Sequence, residues 1–133
     1  MSKYLKAFSI LTVSVLFLAA CATTPPEPPG PVTYHADSDV RYAMRDMVIN
    51  INRSPNGFIE AVMLDGFGAG QGRAGVEWSI VWYDATGQRV GGTSDRYRRL
   101  TVSPGVPFQM SAVAPVRDAT RAHIHVRRSR TAD

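Results

Sequence analysis

The string Val76-Glu77-Trp78-Ser79-Ile80-Val81-Trp82-Tyr83 constrains this chain more than any other segment. Side chains of a strand alternate between faces, so Val76, Trp78, Ile80 and Trp82 share one face, with Glu77, Ser79 and Tyr83 on the other. β-branched and aromatic residues at this density suit a pleated surface that is buried on one side. Asp84-Ala85-Thr86-Gly87 follows as a tight turn, with Gly87 free to take a positive φ.

The same period of two recurs along the chain from Arg45 onward. Met47 to Asn52 is a strand stopped by Ser54-Pro55-Asn56-Gly57. Phe58 to Leu64 is a second apolar run of ambiguous facing, ended by Asp65-Gly66. Tyr97 to Val102 is another strand, closed by Ser103-Pro104-Gly105. Phe108, Met110 and Ala112 alternate with Gln109 and Ser111 in the next strand. In the last, Ala122, Ile124 and Val126 alternate with Arg121, His123, His125 and Arg127. No stretch carries a helical stripe of useful length. Six or so short strands at this spacing predict an all-β domain, an antiparallel β-sandwich, over residues 45–128, with a disordered tail at 129–133.

The first 20 residues belong to a different physics. Met1 to Lys6 form a basic n-region, and a run of about 14 mostly apolar residues, Ala7 to Ala20, follows. That is shorter than the ~20 residues a membrane-spanning helix needs. It has the anatomy of a cleaved secretory signal peptide. Leu18-Ala19-Ala20-Cys21 resembles the lipobox of bacterial lipoproteins, which implies signal-peptidase recognition at Leu18, Ala19 and Ala20 and lipidation of Cys21. Two or more acyl chains anchor a protein stably where one does not. Ala22, by the same resemblance, favours export to the outer membrane. Residues 21–44 are expected to be a tether, because five of the nine prolines fall between Ala22 and Pro31. Such a segment favours extended polyproline II and acts as a spacer.

The leader also explains the charge. The formal +4 includes Lys3 and Lys6, and without them 13 arginines face 11 acidic residues, for +2. That excess does not predict nucleic-acid binding. The part left to fold, roughly 85 residues, excludes a large α/β enzyme, a multi-span transporter and a doubly wound nucleotide-binding domain. One cysteine excludes an internal disulfide framework and a thiolate zinc site of the finger type.

Val76 to Gly87, with its Trp-Tyr-Asp-x-x-Gly ending, resembles the central motif of the YcfL-like family of periplasmic lipoproteins. Thr101-Val-Ser-Pro-Gly105, the run ending in Ala112-Val-Ala114-Pro115, and the strand His123 to Arg128 match downstream. The resemblance covers about 46–128, together with the lipobox upstream. It implies a small immunoglobulin-like sandwich of undefined biochemical role. It also implies a link to peptidoglycan synthesis, since in enterobacteria the gene of this family lies beside one for a lipoprotein activator of a peptidoglycan synthase. The Gly-rich insert at 66–75 departs from the family pattern and leaves the register of the second strand open.

Candidate chemistry is sparse. Gly70-Gln-Gly72-Arg-Ala-Gly75 satisfies G-x-G-x-x-G, but it opens a strand and not the helix that a pyrophosphate site requires, so it is expected to be an inter-strand loop. His123 and His125 share a strand face able to hold a metal, yet a site needs a third ligand, and His35 falls in an irregular segment. No G-x-S-x-G elbow surrounds any serine. Arg96, Arg98 and Arg99, with Arg127, Arg128 and Arg130, form either a basic patch for anionic headgroups or a solvated face with local acidic partners. The expectation is therefore a non-enzymatic binding or scaffolding module. It needs no cofactor and no metal, and it is held to a membrane by acyl chains on Cys21 and faces the periplasm. An accessory role in peptidoglycan synthesis, with a protein partner in the envelope, is the alternative. A small metal-dependent hydrolase is the third reading.

Overall fold

The computed structural model describes residues 30–92 and 96–130. In chain order the elements are β1 (Val32–Ala36), a 3-10 turn (Arg41–Ala43), β2 (Met44–Arg53), β3 (Ile59–Gly68), β4 (Ala74–Tyr83), β5 (Arg89–Val90), β6 (Arg98–Val102), β7 (Pro107–Val113) and β8 (Arg121–Arg128). The alternation in β4 does what its sequence demands: Val76, Trp78, Ile80 and Trp82 all point into the core. Glu77 and Ser79, on the opposite face, are nearly as buried. Opposite them across the core stand Ile59, Val62 and Leu64 of β3 and Met110 and Ala112 of β7. Ala122, Ile124 and Val126 of β8 complete the packing. Burying this apolar surface, at about 25 cal/mol per Å², is what drives the two sheets together.

One sheet runs β1-β8-β4, and β5 and β6 share the far edge of β4; the other runs β2-β3-β7. Immunoglobulin-like sandwiches order their strands A-B-E in one sheet and C-F-G in the other. Here β2, β3 and β7 take the places of A, B and E, while β4 and β8 take those of C and F. β1 fills the place of G. It comes first among the described strands, and it runs parallel to β8, whereas the other strand ladders among the described residues are antiparallel. The small β-sandwich expected from the sequence is thus the observed fold.

Two sequence expectations need correction. The spacer assigned to 21–44 overlaps the folded body, because Val32, Val40 and Met44 are core residues. The segment Val32-Thr-Tyr-His-Ala alternates as a strand should, but only two of its inward residues are aliphatic. Its hydrogen bonds come from β8: the Ala122 amide donates to Pro31 O at 2.9 Å, and the Asp37 amide to Val126 O at 3.0 Å. At the other end, Ser129 is tied to Gly75 O by its amide at 3.0 Å, so the tail is not free from residue 129.

Bulges in the β2–β3 ladder explain the ambiguous facing of Phe58 to Leu64 and re-phase β2 as well. Asp46 adopts φ 55° where the β2–β3 register shifts, so Met44 and Met47 both face inward although they are three apart. A second shift at Asn52/Arg53 lets Ile59 and Val62 do the same. Inserting one residue into a strand re-phases everything beyond it. β3 also continues through Asp65-Gly66, where the sequence suggests an end. A side chain at Gly66 would strike Met47 and Phe108, which fill that space.

Candidate functional site

The outward face of the five-stranded sheet carries an ordered polar constellation. The parallel register of β1 on β8 sets Thr33 beside His123 and His35 beside His125. The antiparallel register of β8 on β4 sets His125 beside Ser79 and Arg127 beside Glu77. Because side chains alternate, all of these project to the same side. Asp37 lies one residue beyond β1. Its backbone is pinned from both sides, its amide to Val126 O and its carbonyl by the Val40 and Arg41 amides at 3.0 and 3.1 Å.

His125 is the centre of the group. Its Nε2 lies 2.8 Å from Asp37 Oδ1, and its Nδ1 lies 2.7 Å from the Tyr97 hydroxyl. An ionised carboxylate only accepts, so the network assigns the ring proton to Nε2, and Tyr97 donates to Nδ1. The His35 ring stacks on that of His125 with centroids 5.8 Å apart, and Tyr97 meets His125 edge-on at 5.9 Å. His35 Nε2 stands 3.7 Å from Asp37 Oδ1. The hydrogen bond from His125 holds the Asp37 carboxyl below its ordinary pKa, and the Arg127 guanidinium adds to that against an opposing effect of desolvation. Burial is the main cause that lowers the pKa of His123. The ligand atoms of His35, Asp37 and His125 lie within 4.8 Å of one another, a two-imidazole, one-carboxylate set.

Beside this group, the Arg127 guanidinium lies over the Tyr97 ring and reaches Glu77 Oε2 through Nη2 at 3.0 Å and Nε at 3.1 Å. Arg99 approaches the other Glu77 oxygen at 3.6 Å. The two arginine clusters of the sequence therefore meet across β4, and there Arg99 and Arg127 share an acidic partner. Arg98 does something else: it covers the Trp78 ring at 5.1 Å and donates to Ser111 O of the opposite sheet at 3.1 Å, closing the edge of the sandwich.

His123 and His125, the pair singled out by spacing, do not act together. His123 is bonded to the Thr33 hydroxyl at 2.8 Å, whereas the companions of His125 come from β1 and the approach to β6. His35, Asp37 and Tyr97 were missed as members. Tyr97 carries no signal of membership; for His35 and Asp37 the signal is His35-x-Asp37, the same two-residue spacing as His123-x-His125. It becomes legible only once residues 32–36 are recognised as a strand. The G-x-G-x-x-G segment leads from β3 into β4 without a helix, as a loop with Gly70 at φ 82°. Leu18, Ala19, Ala20 and Cys21 lie outside the described residues. The described concavities are open grooves; one of about 840 Å³ runs between residues 52–61 and 113–117 and does not include the histidines.

No family model matches the sequence, and no curated protein matches it. Two crystal structures share the fold. Cj0090 from Campylobacter jejuni aligns with a TM-score of 0.53 and 14% identity, over 72% of this chain and 97% of that one. A DUF1425 family member from Shewanella sp. pv-4 aligns with a TM-score of 0.52 and 18% identity, over 63% of this chain and 76% of that one. At these identities the likeness is one of fold.

Proposed function

We propose that this chain is a bacterial lipoprotein of the YcfL-like kind, anchored through acyl groups on Cys21 and facing the periplasm, in the outer membrane. Its β-sandwich acts as a non-enzymatic binding module. The observation that carries this reading is the position of β1. The folded body starts at Val32, which leaves only the ten residues 22–31 between Cys21 and the first strand. At ~3.1 Å per residue an extended Pro-rich segment of that length holds the sandwich within about 30 Å of the bilayer. The shared fold with a DUF1425 member supports the family, and the lipobox supports the anchor.

The organised polar groups lie on an open sheet face, where a partner of matching shape and charge can dock without entering a cleft. The resemblance points to a protein of peptidoglycan synthesis as that partner. Fractionation tests the anchor. Wild type should sediment with the outer membrane and carry acyl groups on an N-terminal Cys21, and Cys21→Ala should release the chain to the aqueous fraction. An unacylated wild-type chain in the aqueous fraction would overturn the proposal. Photo-crosslinkers placed at Thr33 and Arg99 on the outward face should capture a discrete envelope protein.

A further inference from the structure

We infer that His35, Asp37 and His125 form a binding site for a divalent ion of the late first-row transition series, Zn²⁺ or Cu²⁺. The donor set selects the ion. Imidazole nitrogens suit zinc and copper, whereas magnesium and calcium take oxygen ligands almost exclusively. Three protein donors with positions left for water make an open site, unlike the closed four-ligand sites that hold folds together.

The geometry is close to what coordination needs. Donors of a tetrahedral site with bonds of ~2.0 Å stand about 3.3 Å apart. Here Asp37 Oδ1 is 2.8 Å from His125 Nε2 and 3.7 Å from His35 Nε2, and all three donors fall within 4.8 Å. Asp37 and His125 are fixed by backbone bonds and by Tyr97. His35, whose side chain is 65% exposed, is free to swing the remaining distance. Arg127, the cation packed beside the site, has its charge answered by Glu77.

The support around the site has the right polarity as well. Histidines that bind metal through one nitrogen usually donate the other ring N–H to an acceptor. When Nε2 of His125 takes the ion, its proton moves to Nδ1, which then donates to the Tyr97 oxygen now 2.7 Å away. The imidazole stays neutral throughout, and the hydroxyl proton turns outward. The site stands on the sandwich and is independent of the anchor, so Cys21→Ala should leave it intact and also removes a competing thiol.

The test is calorimetric titration of ZnCl₂ and CuCl₂ into the full chain carrying Cys21→Ala, prepared without a polyhistidine tag. One equivalent should bind. Affinity should fall at least ~10-fold in His35→Ala and in Asp37→Asn, while His123→Ala should change little. Because His125→Gln also removes structural bonds, the exposed His35→Ala is the decisive variant. With Cu²⁺, electron paramagnetic resonance should show splitting from two imidazole nitrogens in the parent and from one in His35→Ala. Absence of saturable binding of either ion, or binding that His35→Ala leaves unchanged, would overturn the inference.

Discussion

Gly68 offers the sharpest test of how the two sheets are joined. It ends β3 under the segment that carries the chain from β6 to β7. A Cβ built there would overlap the Ser103 carbonyl and sit 2.9 Å from Ser103 N. Ordinary carbon contacts need ~3.5 Å or more, so the backbone at Ser103 must move by over an ångström in Gly68→Ala. That movement breaks two bonds, Gly68 N–H to Val106 O at 2.9 Å and Gly105 N–H to Gly68 O at 3.0 Å. Each contributes about 1 kcal/mol net. Overpacking adds ~1–3 kcal/mol, so the expected loss is about 3–5 kcal/mol. At a urea slope of ~1.5 kcal/mol per molar, the midpoint should drop by about 2 M or more. Gly72→Ala is the internal control: nothing lies within 4 Å of its added Cβ, and its midpoint should stay near that of wild type. Equal midpoints for the two variants would refute the placement of Ser103 over β3.

Two further perturbations probe the outward face and its flank. Arg127→Met leaves the Glu77 carboxylate buried, with Arg99, at 3.6 Å, as its remaining ion-pair partner among the described residues. The cost should be about 2 kcal/mol in urea unfolding, below the ~3–5 of a fully buried pair, and adding Glu77→Gln should restore part of it. Asp84 accepts from the Thr86 hydroxyl at 2.6 Å and from the Thr86 and Gln88 amides at 2.9 Å, which lowers its pKa below the ordinary 3.8. A lowered folded-state pKa means that the carboxylate stabilises the fold above 3.8 and ceases to do so as pH falls through the folded value. Asp84→Asn should therefore melt lower than wild type at pH 7, and the two melting curves should converge as the pH is taken below that range.

The tryptophan strand and the last two strands are legible because apolar and polar residues alternate along each, and the turn at Asp84–Gly87 because its residue types suit one. That Glu77 and Ser79 are buried as well is not visible in the alternation. Trp78, Met110 and Ile124 fall where a simple alternation puts them. The bulges at Asp46 and beside Arg53 were not legible, since a strand that changes phase midway resembles a strand of no clear facing. β1 was hidden for a different reason. Its stability comes from pairing with a partner some 90 residues away, and its own Thr, Tyr and His carry little hydrophobic signal. Missing β1 meant missing the site, because His35 and Asp37 gain meaning only beside His125. Gly66 and Gly68, grouped in the sequence with a flexible insert, are glycines for lack of room.

β1 sets where the folded body begins, and both proposals depend on it, because it brings two of the three proposed metal donors to the third. Amide hydrogen exchange by NMR on the full chain measures this directly. The amides of Asp37 and Ala122, bonded across the β1–β8 junction, should be protected to within about tenfold of those in the centre of β4. Exchange of Asp37 and the β1 amides at the rate of an unfolded chain, with β4 still protected, would contradict it.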